Sequence, residues 1–538
     1  MAIDTTSRPA SYRSSLPPGR DGFWQLLRAE FTKFRTVRRW LIGLAAAAAV
    51  SVALTMLASN TGPGNNQAPD ALTGPDGSVV QDRFRFLHQP LTGDGEIVAR
   101  VASLTAEDHR GPDGKTRGVE GWAKAGVLIK DGAESGAGYA ALTATAKHGV
   151  RLQWDFTEDR AGSDTAAAGS WLRLVREGGT VTGYESRDGR DWQKVGTVTP
   201  ASLPRTAEIG LFVASPDSYV VERAFGSLSE GSGPTKATGV FDHVTVNGKA
   251  PASGSFTGEP VGELTMGPLP DSAADEQADD ERRQAAQDEI NDLQGSDSEA
   301  NGVYTITGSG DIAPDTFAGG DNLTQSLAGS WVALMVFAAL GTLFVTAEYK
   351  RGMIRTTLTA SPRRGRVPVA KAVVVGVVSF AVALPATAAG FSWAQDRMRD
   401  NGYLPPVYPH YSLTEGAGLR AVVGTAAMLA LVAVLALAAG AFLRHSAGAI
   451  TGVIMLMLLP LILGSALPLG VTQWLFTFTP VAAFSVQQGG HHYEQIERPC
   501  MPENSCYPLP SYGGLGVLAL WAAVVLALAV WRLRRRDV

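Results

Sequence analysis

The sequence predicts an α-helical polytopic membrane protein with six transmembrane helices and an all-β sandwich, of jelly-roll type, inserted after the first helix. Three observations predict it. Six apolar runs approach the roughly 20 residues that a helix needs to cross a bilayer. The long polar stretch between the first two runs, Asn60–Ser330, reads as short strands punctuated by Gly, Pro, Asp and Ser. Lys and Arg crowd the segments that alternate runs would leave on one side, the pattern of cytoplasmic loops.

At 538 residues the chain has room for about two to four domains. A net charge of -5 does not suggest nucleic acid, and the two cysteines share one loop. The extreme N-terminus has no apolar core followed by a small-residue cleavage site, so the run beginning at Trp40 is expected to stay as an anchor.

The chain opens with a cytoplasmic segment, 1–39. Met1–Arg20 is polar and is expected to be disordered. In Asp21–Arg39, Phe23, Leu26, Leu27, Phe31 and Phe34 share a helical face, and Arg28, Lys33, Arg35, Arg38 and Arg39 are cationic. That pattern fits an interfacial helix or a plain positive flank. The first span is 40–58, and its basic N-side flank puts the N-terminus in the cytoplasm.

Residues 59–330 are then extracytoplasmic, with the sandwich at 80–248. Strands are predicted at Arg83–Leu87, Gly95–Leu104, Trp122–Lys130, Tyr139–Ala144, Val150–Phe156, Ser170–Val175, Val181–Ser186, Gln193–Thr197, Glu208–Val213 and Phe241–Val246. Ser186-Arg187-Asp188-Gly189 is a hairpin turn, since Asp-Gly supplies the positive φ values such a turn wants. Trp122, Trp154, Trp171 and Trp192 are core or face aromatics. Residues 249–300 form an acidic linker, for which disorder is the default reading and a helix through Ala274–Leu293 the alternative. Residues 301–312 read as a strand returning to the sandwich, and Asn322-Leu323-Thr324 is a formal glycosylation sequon.

The remaining spans are 331–345, 372–394, 421–442, 447–467, kinked by Pro460, and 513–531. The loop 346–371 between the second and third carries Lys350, Arg351, Arg355, Arg363, Arg364, Arg366 and Lys371 against Glu348 alone. Tyr349, Met353, Ile354 and Leu358 fall across one helical face, with Arg351 and Arg355 opposite, and Ser361-Pro362 ends that helix. The loop is therefore a short amphipathic helix, either an anchor on anionic head groups or a handle for a soluble partner. Gln395–Gly416 is a polar outer loop, and Leu443–Ser446 is an inner turn in which His445 reads as an interfacial cap rather than a proton relay.

The outer loop 468–512 contains Val471–Val486, apolar but broken at Thr479-Pro480 and too short to cross comfortably. Cys500 and Cys506 follow. An oxidising compartment favours a disulfide there over two free thiols, for roughly 2 kcal/mol of local stabilisation. The tail 532–538 carries Arg532, Arg534, Arg535 and Arg536. Six crossings return the C-terminus to the N-terminal side, in agreement with the charge rule.

Two resemblances add to this reading. FWQLLRAEFTKFRTVRRWLIG, AEYKRGMIRTTLTASPRRGRV and the broken segment before the last span resemble ABC-2 type ABC transporter permeases. The resemblance implies a coupling helix that docks on a separate ABC ATPase subunit, through Glu348, Tyr349, Arg351, Met353 and Arg355, with Pro362, Arg363 and Arg364 forming the turn that fixes it. It also implies a pathway shared by a homodimer or with a related permease. GEIVARVASL, WAKAGVLIKD, GVRLQWDF, WLRLVREGGTVTGYESRDGRDWQKVG and EIGLFVAS, in that order, resemble concanavalin A-like (laminin-G-like) domains. Such domains often bind glycans, with Tyr184 or Trp192 as the ligand-stacking platforms; core filling is the plainer role for most of the aromatics.

No catalytic set is expected. Asp155, Glu158, Glu185, Asp188 and Asp191 offer carboxylates, but nothing marks the pair a glycosidase needs. GPDGKT at Gly111–Thr116 fails as a phosphate loop, because the required first glycine is His109. The chain itself is thus expected to hold no nucleotide and no cofactor, with ATP hydrolysis left to a partner. His491, His492 and Glu494 lack convincing metal-ligand spacing. Few charges lie within the spans, which weakly favours an apolar or amphipathic cargo, or a mechanical export task, over an ion path. The expected location is the cell membrane, with membrane lipids as neighbours and both termini cytoplasmic. The alternative is a membrane-anchored surface receptor whose sandwich binds glycan.

Overall fold

A computed structural model describes residues 22–60, 71–106, 109–110, 116–164, 168–224, 227–262, 276–315, 322–350, 352–353, 365–489, 493–496, 500 and 506–535. Met1–Arg20, the glycines of GPDGKT, Ile354–Arg364 and the His491–His492 pair lie outside these residues, and so do the expectations placed on them.

Helices are α1 (Phe23–Thr36), α2 (Arg38–Ala58), α3 (Glu276–Leu293), α4 (Asn322–Gln325), α5 (Ser330–Lys350), α6 (Arg366–Asp400), α7 (Gly416–Leu443), α8 (Ser446–Gly464), α9 (Leu469–Phe478) and α10 (Gly513–Arg535). Six of them, α2, α5, α6, α7, α8 and α10, are long and apolar enough to cross a membrane. Their ends alternate. Lys371 at the start of α6 bonds Glu348 at the end of α5, and Arg532 at the end of α10 donates to Phe442 O at the end of α7. At the other end of the bundle, Gln325 of α4, just before α5, donates to Ala58 O at the end of α2, and Asn401 after α6 donates to Ser59 O. The arginine-rich termini thus gather at one end, and the sandwich is attached at the other.

Helix α7 is the centre of the bundle, contributing Met428, Leu429, Val432, Leu435 and Leu437 to a core shared with Leu334 and Phe337 of α5 and Met457 of α8. Gly341 lets α5 approach α7 closely: a Cβ there would come within 2.9 Å of the Ala433 carbonyl carbon. Small residues at such crossings let backbones touch, which is how helices pack where lipid is as apolar as leucine. Two boundaries depart from expectation. Helix α5 runs on to Lys350, so Glu348 and Tyr349 belong to a span; Gly352, at φ +68°, follows where the chain turns away. Helix α6 begins at Arg366, not 372, because Pro368 lies in the first turn, where a helix needs no N–H bond. Lys371 is therefore a helix residue rather than a loop cation.

The apolar stretch after α8 turns back on itself: Thr472 at its start donates to Gly464 O at the end of α8, and Gln488 past its end accepts from Arg420 at the start of α7. Helix α9 and the 3₁₀ segment Pro480–Gln487 meet at 90° around Thr479-Pro480, and every residue of the 3₁₀ segment is buried. The pair forms a re-entrant hairpin at the sandwich end.

The strands are β1 (Val80–Asp82), β2 (Phe84–Thr92), β3 (Gly95–Ala106), β4 (His109–Arg110), β5 (Thr116–Arg117), β6 (Lys124–Lys130), β7 (Tyr139–Thr145), β8 (Val150–Trp154), β9 (Glu158–Ala161), β10 (Ser170–Glu177), β11 (Thr180–Ser186), β12 (Gln193–Val198), β13 (Thr206–Ala214), β14 (Ser218–Ala224), β15 (Ser227–Gly233), β16 (Lys236–Val246), β17 (Thr257–Val261), β18 (Ser296–Ala300), β19 (Val303–Ser309) and β20 (Ile312–Pro314). Two antiparallel seven-stranded sheets, β12-β11-β10-β3-β16-β19-β18 and β17-β2-β13-β6-β7-β8-β9, face each other. Between them lie Ile97, Ala99, Leu172, Leu174 and Ile306 from the first sheet and Val127, Ile129, Leu142, Leu152 and Leu211 from the second. Two stretches of the supposed linker are strands of the sandwich: β17 and β18 close one edge of each sheet, and the returning strand is β19.

The first sheet turns its alternate residues outward, half exposed along β10 and β11. The second sheet is buried on both faces along β6 and β7. A second apolar cluster covers it, in which Phe84, Phe86, Leu128, Tyr139, Phe156 and Phe212 pack with Val80 and Ile312. Those last two come from β1 and β20, the strands by which the chain enters and leaves the sandwich, and they pair with each other. Lys130 and Lys124, at opposite ends of β6 on that same face, fasten them: Lys130 Nζ lies 2.7 Å from Asp82 Oδ2 and Lys124 Nζ 2.7 Å from Asp311 Oδ1. Burial raises the Asp82 carboxyl and lowers the Lys130 ammonium, each against the charge of its partner.

Candidate functional site

The feet of the basic loop, Tyr349 and Val367, are held in a small apolar cluster with Leu26 of α1 and Leu533 of α10. Directly above lies a charge cluster. Lys371, 1% exposed, places Nζ 2.6 Å from Glu30 Oε2 and 2.7 Å from Glu348 Oε1, and Glu30 is 0% exposed. Lys33 Nζ adds contacts of 2.9 Å to Glu30 and 3.6 Å to Glu348. Burial pulls the Lys33 ammonium down, but the hydrogen bond and charge of Glu30, with the charge of Glu348, outweigh it and leave the ammonium raised. Four charges of balanced sign thus join α1, the end of α5 and the start of α6. Glu348 Oε2 is buried with no hydrogen-bond partner among the described residues.

Phe344 is the hub beneath this cluster. Its ring lies 4.9 Å from Lys371 Nζ, 5.5 Å from the Phe34 ring and 5.6 Å from the Trp40 ring. The Arg444 guanidinium sits 5.5 Å from the Tyr349 ring, tying the α7–α8 turn to the same region. The cluster joins α1, α5 and α6 at the base of the loop.

Of the expected docking residues, Glu348 faces inward and is consumed by Lys371, Tyr349 is half-buried against Val367, and Met353 is 43% exposed. Arg351, Arg355, Pro362, Arg363 and Arg364 lie outside the described residues. Sequence reasoning missed Glu30 and Lys371. The signal was present for Glu30: it is the one acid of α1 and shares the packed face of Leu26, Leu27 and Phe34, which calls for a buried cation. Phe31, assigned to that face from spacing, is 48% exposed instead.

On the sandwich, Tyr184 lies on the outward face of the first sheet, paired across strands with Arg173, whose guanidinium is 5.7 Å from its ring. Arg173 also holds Glu96 at 2.6 Å. Beside them Trp171 faces Arg100, which is bound to Asp242. Trp192 lies in the β11–β12 turn, half-buried. Three of the carboxylates considered for catalysis have structural partners. Glu185 accepts from Ser163 Oγ at 2.6 Å, Asp155 from Ala201 N at 2.7 Å, and Asp188 from Arg190 N at 2.9 Å and Asp191 N at 3.0 Å. Those two backbone N–H groups, with Ser186 Oγ, hold the Asp188 carboxyl down to about 2.

Other sequence features resolve simply. His445 caps α8, accepting from Gly448 N at 3.0 Å. Cys500 and Cys506 are disulfide-bonded. Glu494 pairs with Arg151 at 3.3 Å. Asn322 of the sequon is buried, donating from Nδ2 to Pro409 O at 2.9 Å. Among the described residues no group of three or more metal-ligating side chains comes together.

No family model and no curated protein matches the chain. Among solved structures, a Saccharomyces cerevisiae protein described as functionally unknown is similar over 24% of this chain and 64% of that one, at 15% identity and a TM-score of 0.18. The chain thus spans less than two thirds of that protein, and a likeness so slight leaves the reading to the molecule's own residues.

Proposed function

We propose that the chain is the membrane permease subunit of an ABC-2 type ABC transporter, an exporter in the cell membrane with both termini cytoplasmic. A separate ATPase subunit would dock on the basic loop, and a second copy or a related permease would complete the pathway. The outer domain, read as a concanavalin A-like jelly roll, would recognise a ligand or glycan at the exit. One observation carries this reading: the Lys371 cluster anchors the loop to α1, α5 and α6 at once. A lipid anchor has no use for a stiff base, whereas a loop pushed by a motor does. Nucleotide-driven closure of the ATPase would displace the loop, and the cluster would hand that displacement to three helices as one body.

The test is copurification. A soluble nucleotide-binding subunit is expected to copurify with the chain and to be lost on Arg351→Glu with Arg355→Glu. A chain that binds no ATPase, and loses all activity when 60–330 is deleted, would instead be a surface glycan receptor. The outward face carrying Tyr184, Arg173, Trp171 and Arg100 favours that second reading, because aromatic and cationic groups side by side suit sugar rings and their acidic substituents.

A further inference from the structure

The sandwich touches the bundle at a second place, remote in sequence from β1 and β20. Past the 3₁₀ segment the chain leaves the bundle at Gln488. The Gln488 carbonyl accepts from Arg420 of α7, and its Nε2 donates to Tyr507 O at 3.0 Å. The chain returns at Cys506, bonded to Cys500, and at Tyr507, whose ring meets Phe476 of α9 edge-on at 6.1 Å. Between these feet, Tyr493–Ile496 lies against the second sheet. Gln495, 3% exposed, donates from Nε2 to Phe156 O at 2.6 Å. Glu494 also reaches Arg151 of β8, but its side chain is 79% exposed, so that pair contributes little.

Phe156 is a distinctive place to hold. Asp155 and Phe156 take φ values of 48° and 68°, a conformation that Asp visits readily but that is uncommon for a bulky residue such as Phe. The Phe156 ring is fully buried, 5.0 Å from the Tyr139 ring and 5.6 Å from Lys130 Nζ, and Lys130 is the cation that fastens β1 through Asp82. The arm, at the backbone carbonyl, and the cation that fastens the incoming strand, at the ring, therefore converge on one residue. At the other end, Gln487 Nε2 donates to Ser330 Oγ of α5 at 3.2 Å and to Thr425 Oγ1 of α7 at 3.0 Å. Polar contacts thus hold the arm to the sandwich at Gln495, and the re-entrant segment to the bundle at Gln487 and Gln488.

We propose that Tyr493–Ile496 is a latch by which the sandwich holds the re-entrant segment in place, so that a shift of the sandwich on its connecting strands loosens or tightens the sandwich end of the bundle. The latch stands apart from what the bundle carries, and its test needs neither transport nor an ATPase. Hydrogen–deuterium exchange on the full chain in nanodiscs reads it directly. Gln495→Ala is expected to raise exchange at the amides of Val481–Gln488 by roughly five- to tenfold, the weight of one buried hydrogen bond. Ser446–Gly464 of α8 should be unchanged. Reducing the disulfide in the unsubstituted protein should act in the same direction, since it frees the returning foot. If Val481–Gln488 keeps its protection after both treatments while Tyr493–Ile496 loses its own, the arm is a passive strap and the proposal falls. A variant that opens α8 as well is globally damaged; the reduction experiment then decides alone.

Discussion

Replacing Lys371 with Met removes the buried cation that lies between Glu30 and Glu348. Lys33 remains, 2.9 Å from Glu30 and 3.6 Å from Glu348, and can balance one of the two. One carboxylate is then left buried without a partner. Breaking a buried ion pair from one side costs about 3–5 kcal/mol, because the stranded charge keeps its desolvation penalty. The stranded carboxylate escapes by taking up a proton, so the penalty shrinks by up to about 1.4 kcal/mol for each pH unit lowered. Lys371→Met with Glu348→Gln should recover most of the loss at any pH, because no unpaired charge remains and the hydrophobic exchange is close to neutral. Thermal or denaturant unfolding of the purified protein in detergent, at pH 8 and pH 5.5, measures all three. Equal destabilisation at both pH values, or a double variant worse than the single one, would refute the idea that paired charge rather than shape holds the loop's base.

Three further outcomes follow from the same kind of accounting. Asp82→Ala strands Lys130 under the second sheet and should cost the sandwich about 3–5 kcal/mol, whereas Asp82→Leu with Lys130→Met should restore most of it, both read by unfolding of the full chain. Asp188 is held at about 2, below its ordinary 3.8, so its contribution to the β11–β12 turn is complete above pH 3.8 and lost as pH falls through about 2; Asp188→Ala should abolish that transition in the tryptophan fluorescence. Gly341→Val should separate α5 from α7 at a cost of about 1–3 kcal/mol from overpacking, visible as a lowered unfolding midpoint.

The sandwich's central strands were legible because one face of each is apolar and the pattern is local: β10 and β11 alternate buried and half-exposed residues along their length. Strands β9, β17 and β18 were not, and all three lie at sheet edges. An edge strand has water along one side, so it needs no apolar rhythm, and its pairing partner alone makes it a strand. The base of the loop divides in the same way. Its excess of Lys and Arg is plain in the sequence, but Lys371 looks identical to its neighbours there.

The sequence by itself determined where the spans lie, that a β domain separates the first two, that the cysteines stand close enough to pair, and that arginines gather at alternate turns. Each of these is a local property, carried by the free energy of transferring a single run or by the stereochemistry of a single turn. Only the tertiary structure decided that Glu30 meets Lys371 across 341 positions, that Gln495 reaches Phe156 across 339, and that a supposed linker closes both sheets. Those contacts join segments whose separate sequences carry no mark of each other. They form because a charge or amide buried by packing must find its partner wherever the fold has brought one.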